Sequence, residues 1–460
     1  MVIKNGKVVT ETEVIEADVL IENGVITRIG EDLTDGEVIG AAGKYVLPGG
    51  IDVHTHFCLD VGIAVAQDDF CTGTIAAACG GTTTIVDHPG FGPAGCSLDH
   101  QIRLYHTLAQ DKAVIDYGFH GVIQHVDGSV LEMMETLAGE GITSFKIYMT
   151  YGFKMSDEDI YHILRRAKEL GVMIAVHPEN DGVVNTRRRE FSESGCTAPI
   201  YHALSRPEPC EAEAVNRVIQ ISAVAGDAPL YIVHLSNHLG MQTINLAKQN
   251  GMKNIYVETC PQYLLLDDSY YELEDGLKYI LSPPLRGKAN NDRLWKDIQN
   301  SDIDTIATDH CPFDLTLKKK LGGSDFTKCP NGMPGVELRV PLMFSEGVMK
   351  GRISPVEFAR LCALNPAKLF GLYPKKGAIR EGGDADIVLI DPEKGYAATH
   401  DRLHENVDYT PYEGMELHCA IDRVISRGEV IVKNNAYIGQ KGRGQFVKRG
   451  KPQTAAQPLQ

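Results

Sequence analysis

The chain has 460 residues, of which 43% are hydrophobic and 23% charged, and it carries a net charge of −16. That length exceeds one small core, and that composition belongs to ordinary globular proteins. Acidic residues spread along the chain exclude the basic stripe of a nucleic-acid surface.

The one dense basic run, Lys318-Lys319-Lys320, reads as a solvated loop. No stretch of about 18 apolar residues is present, which argues against a membrane span. The N-terminal "MVIKNGKVVT" reads as a strand rather than a secretory signal. Eleven cysteines are scattered singly, as expected of reduced thiols in a cytoplasmic protein.

Residues 1–48 read as short alternating strands. Asn5-Gly6 and Asn23-Gly24 lie between such runs, where Asn-Gly predicts a hairpin. The same texture returns in "KKGAIREGGDADIVLIDP" and "RVISRGEVIVKNNAYIG". One β domain built from both chain ends, with a large insertion between, is the economical reading.

That insertion, 49–374, alternates apolar strands with helical runs. In chain order the strands are "GGIDVHTHF" (49–57), "GTTTIVDH" (81–88), "AVIDYGFH" (113–120), "SFKIYM" (144–149), "VMIAVH" (172–177), "PLYIVH" (229–234), "NIYVETC" (254–260) and "DTIATD" (304–309). Helices are expected at 157–171 and 210–226. Near-continuous apolar strands alternating with helices imply a parallel sheet covered on both sides. Eight of them predict an α/β fold, a (β/α)₈ TIM-like barrel. The expected division is 1–48 and 375–441 for the β-sandwich domain, 49–374 for the barrel, and 442–460 for a tail. That tail reads as either an oligomer arm or a frayed end.

Several strands end in polar residues. The first carries His54 and His56, two apart and so on one side. Others end in His177, His234 and Asp309, and Lys146 lies inside the fourth. The C-terminal strand ends of a barrel converge on one face. Imidazoles at ligand spacing there suit a divalent metal such as zinc. A lysine in a strand core is costly unless it is paired or chemically changed. His88, His120 and His125 also follow strands but stand outside this set.

"DVHTHF", the strand lysine, "VHPEN", "VHLS" and "ATDH", in that order, resemble the metal-dependent amidohydrolase superfamily along essentially the whole chain. "CGGTTTIVDH", "FKIYMTY", "VETCPQYLLLDD", "LSPPLR" and "CPNGMPGVE" are similar to its dihydropyrimidinase–hydantoinase family. Within that family, the block 60–85 resembles the bacterial D-phenylhydantoinases.

The resemblance implies two divalent cations per subunit, zinc first, with manganese, cobalt or iron as alternatives. His54 and His56 would bind one, and His177 and His234 the other. Lys146, carboxylated by CO2 to N6-carboxylysine, would bridge them. Asp309 would ligate the first metal and serve as acid and base. A bridging hydroxide would attack the ring carbonyl, with Tyr151 as oxyanion donor. Backbone groups near Ser282 and Asn331 would hold a cyclic amide or ureide ring. Both stretches are also turn-rich.

The expected activity is hydrolysis of 5-substituted hydantoins or dihydropyrimidines to N-carbamoyl amino acids, with allantoinase as the alternative. Dihydroorotases usually carry an arginine two residues after the His-x-His; here Phe57-Cys58-Leu59 follows instead. Leu59, Val61, Ile63, Val65 and Phe153 favour an apolar 5-substituent. A metal-free scaffold of the same family is the non-enzyme alternative, and the six filled ligand positions argue against it. Family members are usually homotetramers or dimers.

Overall fold

The first and last strands of the chain share one sheet. In the computed structural model, which describes residues 1–34 and 36–454, the N-terminal strands are β1 (Val2–Val9), β2 (Val14–Glu22), β3 (Val25–Gly30), β4 (Val38–Gly40) and β5 (Tyr45–Pro48). The barrel strands are β6 (Gly50–Thr55), β7 (Thr82–Asp87), β8 (Asp116–Phe119), β9 (Gly121–Val122), β10 (Ser144–Tyr148), β11 (Met173–His177), β12 (Leu230–Ile232), β13 (Ile255–Thr259) and β14 (Thr305–Ile306). Then come β15 (Ile387–Asp391), β16 (Tyr396–Ala397), β17 (Glu416–Leu417), β18 (Ala420–Ser426), β19 (Glu429–Lys433) and β20 (Ala436–Tyr437).

The mixed sheet runs β20-β19-β18-β15-β5-β1-β2-β3, with β4 beside β1. Its central join is antiparallel β5 to β15, and this pairing makes one domain of both chain ends. Asn23-Gly24 forms the expected hairpin between β2 and β3, both residues at positive φ. Asn5-Gly6 does not turn. It is a bulge inside β1, where Asn5 donates its N–H to Asp18 Oδ1. The bulged strand continues because β4 and β5 pair with its other edge.

All eight expected barrel strands are present and parallel. β9 is a short continuation of β8 that pairs with β10. The ring closes where Thr55 bridges His310 in parallel and His56 donates its N–H to the His310 carbonyl. One apolar cluster draws Ile51, Val53, Val86, Met173, Ala175 and Tyr231 together with Phe370 and Leu372. Only the barrel interior brings such non-adjacent strands into contact, so apolar side chains fill that part of it. The expected helices form at Asp157–Leu170 and Glu208–Val224. The first is fixed by a Ser156–Asp159 capping box and ends on Gly171 in the left-handed region.

Two expectations need correction or completion. Lys318-Lys319-Lys320 is not a solvated loop but lies in the helix Leu315–Gly322. Lys319 and Lys320 are exposed while Lys318 is buried. The tail, through Thr454, packs on its own barrel. Its segment 444–449 exchanges backbone bonds with Ala113, Tyr117 and Gly141. Phe446 stacks near His106 and Phe119, and the buried Arg449 donates to the Phe119 carbonyl and Ser144 Oγ. Residues 455–460 lie outside the described residues.

A buried ion cluster joins the two domains. Lys376 lies 2.6–2.9 Å from Asp116 at the start of β8 and from Asp384 and Asp386 beside β15. Burial opposes its charge, but the three carboxylates more than offset this and raise its pKa. Lys376→Met leaves the three acids with only Arg427, 3.2 Å from Asp116, and the more distant Lys375 as counter-charges, and is expected to cost about 3–5 kcal/mol. Urea unfolding checks this; a loss below about 1 kcal/mol would remove the cluster from the domain joint.

Candidate metal centre

Each polar strand end is aimed by a neighbour. On β6, the Thr55 hydroxyl turns to Asp87 Oδ1 (2.6 Å). The rings of His54 and His56 lie together, centroids 5.2 Å apart. His54 Nδ1 lies 2.6 Å from Glu258 Oε1 on β13, which turns its Nε2 into the site. Asp52 accepts from the Thr308 hydroxyl (2.7 Å) and so pins the segment beyond β14 against β6. This sets Asp309, at φ +56, with Oδ1 3.1 Å from Nε2 of both His54 and His56.

A second pair sits beside the first. His177 Nε2–H donates to Glu179 Oε2 (2.8 Å), and Arg206 holds the same oxygen (2.7 Å). His177 Nδ1 therefore accepts from His234 Nε2 (2.8 Å). The His234 backbone N–H is tied to Glu258 Oε1 (2.8 Å), so Glu258 orients a residue of each pair. The His54 and His234 rings are 5.4 Å apart.

Lys146, on β10, is near both pairs. It is 1% exposed, 5.2 Å above the Tyr148 ring, and pairs with no carboxylate among the described residues. Burial lowers its pKa to about 8, against the pull of Asp309 and Glu258. Its charge acts on all four imidazoles. Burial also lowers His56 and His177, and takes His234 well below its ordinary value, so these stay neutral. Burial would lower His54 too, but Glu258 and Asp309 pull it up to about 9.

The donor set fits cations. His54 Nε2 faces this cluster, 3.1 Å from Asp309 Oδ1, buried and without a well-formed hydrogen bond among the described residues. A buried polar atom left unsatisfied costs about 1–3 kcal/mol, and a divalent cation removes that deficit. Ligand atoms of His54, His56 and Asp309 all lie within 4.8 Å of one another. Neutral imidazoles, a carboxylate and an amine make an N/O set suited to zinc, manganese, cobalt or iron. Among the described residues, two other groups of potential ligands are satisfied internally. Asp116, Asp384 and Asp386 are ion-paired with Lys376, Asp116 also with Arg427, and Glu337 accepts from His404 N and Nδ1.

Tyr151 follows β10 at φ +74, its ring 5.2 Å from His177. Burial raises its pKa, so the phenol keeps its proton, and Ser282 is its hydrogen-bond partner. Asn331 Nδ2 donates to Ser282 Oγ (2.9 Å). Tyr151, Ser282 and Asn331 therefore form one edge of the site.

A model of the amidohydrolase family matches residues 45–431. The chain belongs to that family. The amidohydrolase is 52% identical over 452 residues to a D-phenylhydantoinase of Escherichia coli O81 (strain ED1a), covering 98% of each chain. Its structure resembles that of a dihydropyrimidinase from Brevibacillus agri NCHU1002, with TM-score 0.95, 46% identity, and 98% and 99% of the two chains covered. It likewise resembles a D-hydantoinase from a Bacillus sp. AR9, with TM-score 0.95, 45% identity and the same coverage. These matches place it in the dihydropyrimidinase–hydantoinase branch.

Several residues of the amidohydrolase site escaped the sequence reading. Glu258 and Glu179 lie inside stretches already singled out, "VETC" and "VHPEN", and strand alternation would have pointed Glu258 inward with its neighbours. Arg206 carries no local signal, because its partner is tertiary. His88, set aside, lies 4.5 Å from the His54 ring and 3.9 Å from His120. The apolar loop set is split. Leu59 packs towards Ala66, Cys311 and Phe313, while Val61, Ile63 and Val65 are exposed. Phe153 stacks on Phe91, centroids 4.8 Å apart.

Proposed function

We propose that the protein opens 5-substituted hydantoins or dihydropyrimidines to N-carbamoyl amino acids. The convergence of four imidazoles, Lys146 and Asp309 at one face of the barrel carries the reading. His54, His56 and Asp309 would hold one cation, and His177 and His234 the other. Lys146, carboxylated on Nζ, would be shared between them. Bound there, two divalent cations would acidify a water and polarise the substrate carbonyl.

The chain's own groups do the rest. Water adds across the ring amide, so a C–O bond forms and the C–N bond breaks. Asp309 takes the water's proton and delivers it to the leaving nitrogen. Burial would raise its pKa, but the His54 charge and the bond from His56 Nε2 hold the carboxyl well below its usual range. It is therefore ionised and ready to accept. The protonated Tyr151 phenol donates to the developing oxyanion. Backbone groups at Ser282 and Asn331 hold the planar amide edge without a charged side chain. Glu258, and Glu179 with Arg206, keep His54 and His177 in the required tautomers.

We also propose zinc as the metal, a homotetramer or dimer, a cytoplasmic location, and the domain boundaries given above. All eleven cysteines are free thiols. No helix among the described residues is long and apolar enough to cross a membrane.

A hydrolysis panel tests the substrate. It comprises 5-phenylhydantoin of both hands, dihydrouracil, allantoin and dihydroorotate, given to metal-replete protein of measured metal content. Hydantoins or dihydrouracil are expected to turn over fastest, with about two metal equivalents bound. Faster dihydroorotate turnover, or less than about one equivalent of metal, would overturn the reading.

A further inference from the structure

We infer that Lys318 is a positioning residue for ring binding, holding segments 278–282 and 331–332 at a fixed separation. This rests on the reading that the substrate ring lies against the backbone at Ser282 and Asn331.

Lys318 is 0% exposed, although the next two lysines of its helix reach solvent. An ammonium has three donors. Here they meet the carbonyls of Ile280 (3.0 Å), Gly332 (2.6 Å) and Lys278 (3.3 Å). Two of these precede Ser282 and one follows Asn331. No carboxylate pairs with the ammonium among the described residues, and burial lowers its pKa to about 8. A buried cation held by main-chain carbonyls and the Tyr409 ring (5.9 Å), with no counter-charge beside it, is costly, so what it holds in place is the feature to explain.

The two segments are zipped around it. Gly332 N–H donates to the Ile280 carbonyl (3.0 Å), and Asn331 Nδ2 donates to Ser282 Oγ (2.9 Å). Gly332 sits at φ +150, and a Cβ there would lie 2.3 Å from the Cys311 carbonyl oxygen. The helix is tethered as well. Asp408 accepts from Leu315 N (2.6 Å) and the Thr316 hydroxyl (2.7 Å). Tyr409 Oη donates to the Lys278 carbonyl (3.2 Å). Recognising a planar amide edge needs a donor and an acceptor at set spacing, and displacement of about 1 Å is enough to weaken it. Lys318 touches no reacting group, so its loss acts on binding before chemistry.

Lys318→Met keeps the stem and removes all three donors, whereas Lys318→Gln keeps two on a shorter stem. With 5-phenylhydantoin and dihydrouracil as probes, KM is expected to rise about tenfold for the Met variant and less for Gln. Metal content should equal wild type, and kcat should stay within about threefold. If the Met variant is insoluble, the Gln variant alone decides. KM within about twofold of wild type, or kcat and metal content falling together at unchanged KM, would overturn the positioning role. A wild-type protein inactive on every ring substrate would instead sink the underlying functional reading.

Discussion

Lys146→Ala is expected to lose bound metal and to lower kcat/KM at least about a thousandfold, a barrier increase of about 4 kcal/mol. The reason lies in what surrounds the amine. Burial disfavours the ammonium and brings the pKa to about 8, and no carboxylate neutralises it. A neutral amine is a nucleophile for CO2, and the resulting carbamate is an anion that needs cations beside it. The lysine is close enough to the His54–His56–Asp309 group and the His177–His234 pair for its charge to act on all of them. Alanine removes the bridge and leaves a gap of stem length. Short-chain carboxylic acids added to Lys146→Ala should enter that gap and restore part of the activity. Metal analysis and a rate titration with acetate and propionate read both effects. Full activity in Lys146→Arg, which cannot form the carbamate, would falsify the bridge.

Asp309→Asn is the second large effect. Asparagine keeps the shape and tolerates φ +56 as aspartate does. It cannot shuttle a proton, and its neutral oxygen is a poorer ligand. The expected result is a fall in kcat of about 10³–10⁴-fold with little change in melting temperature. Asp309 Oδ1 lies 3.1 Å from both His54 and His56, so the loss should include weaker binding of the cation they share. Single-turnover measurements at saturating metal separate the two causes. Less than a tenfold fall there would remove Asp309 from the proton path.

Most of the barrel was legible because its strands are buried on both faces and so read as unbroken apolar runs. The ligand set was legible for a related reason. A histidine or lysine in an apolar strand has no bland local explanation, and His54 and His56 share a side by simple alternation. What stayed hidden depends on distant partners. Lys318 looked like one of three solvated lysines, because its acceptors come from residues 278–280 and 332. Arg206 and Glu179 find each other only after folding. Asn5-Gly6 has a hairpin's sequence, but Asp18 and the parallel partners of β1 make it a bulge. Local chemistry was read correctly there, and tertiary pairing decided between its two uses.

The tail laid along β8 has a consequence for biosynthesis. Gln445 and Val447 hydrogen-bond to Tyr117, and Arg449 reaches the Phe119 carbonyl and Ser144. These contacts join positions more than 300 residues apart, the separation that slows folding most. A nascent chain therefore lacks the partners of β8 until residues 444–449 have been made. The strands and histidines of the catalytic face emerge long before that, so the centre is fully encoded well before the scaffold beneath it can be sealed.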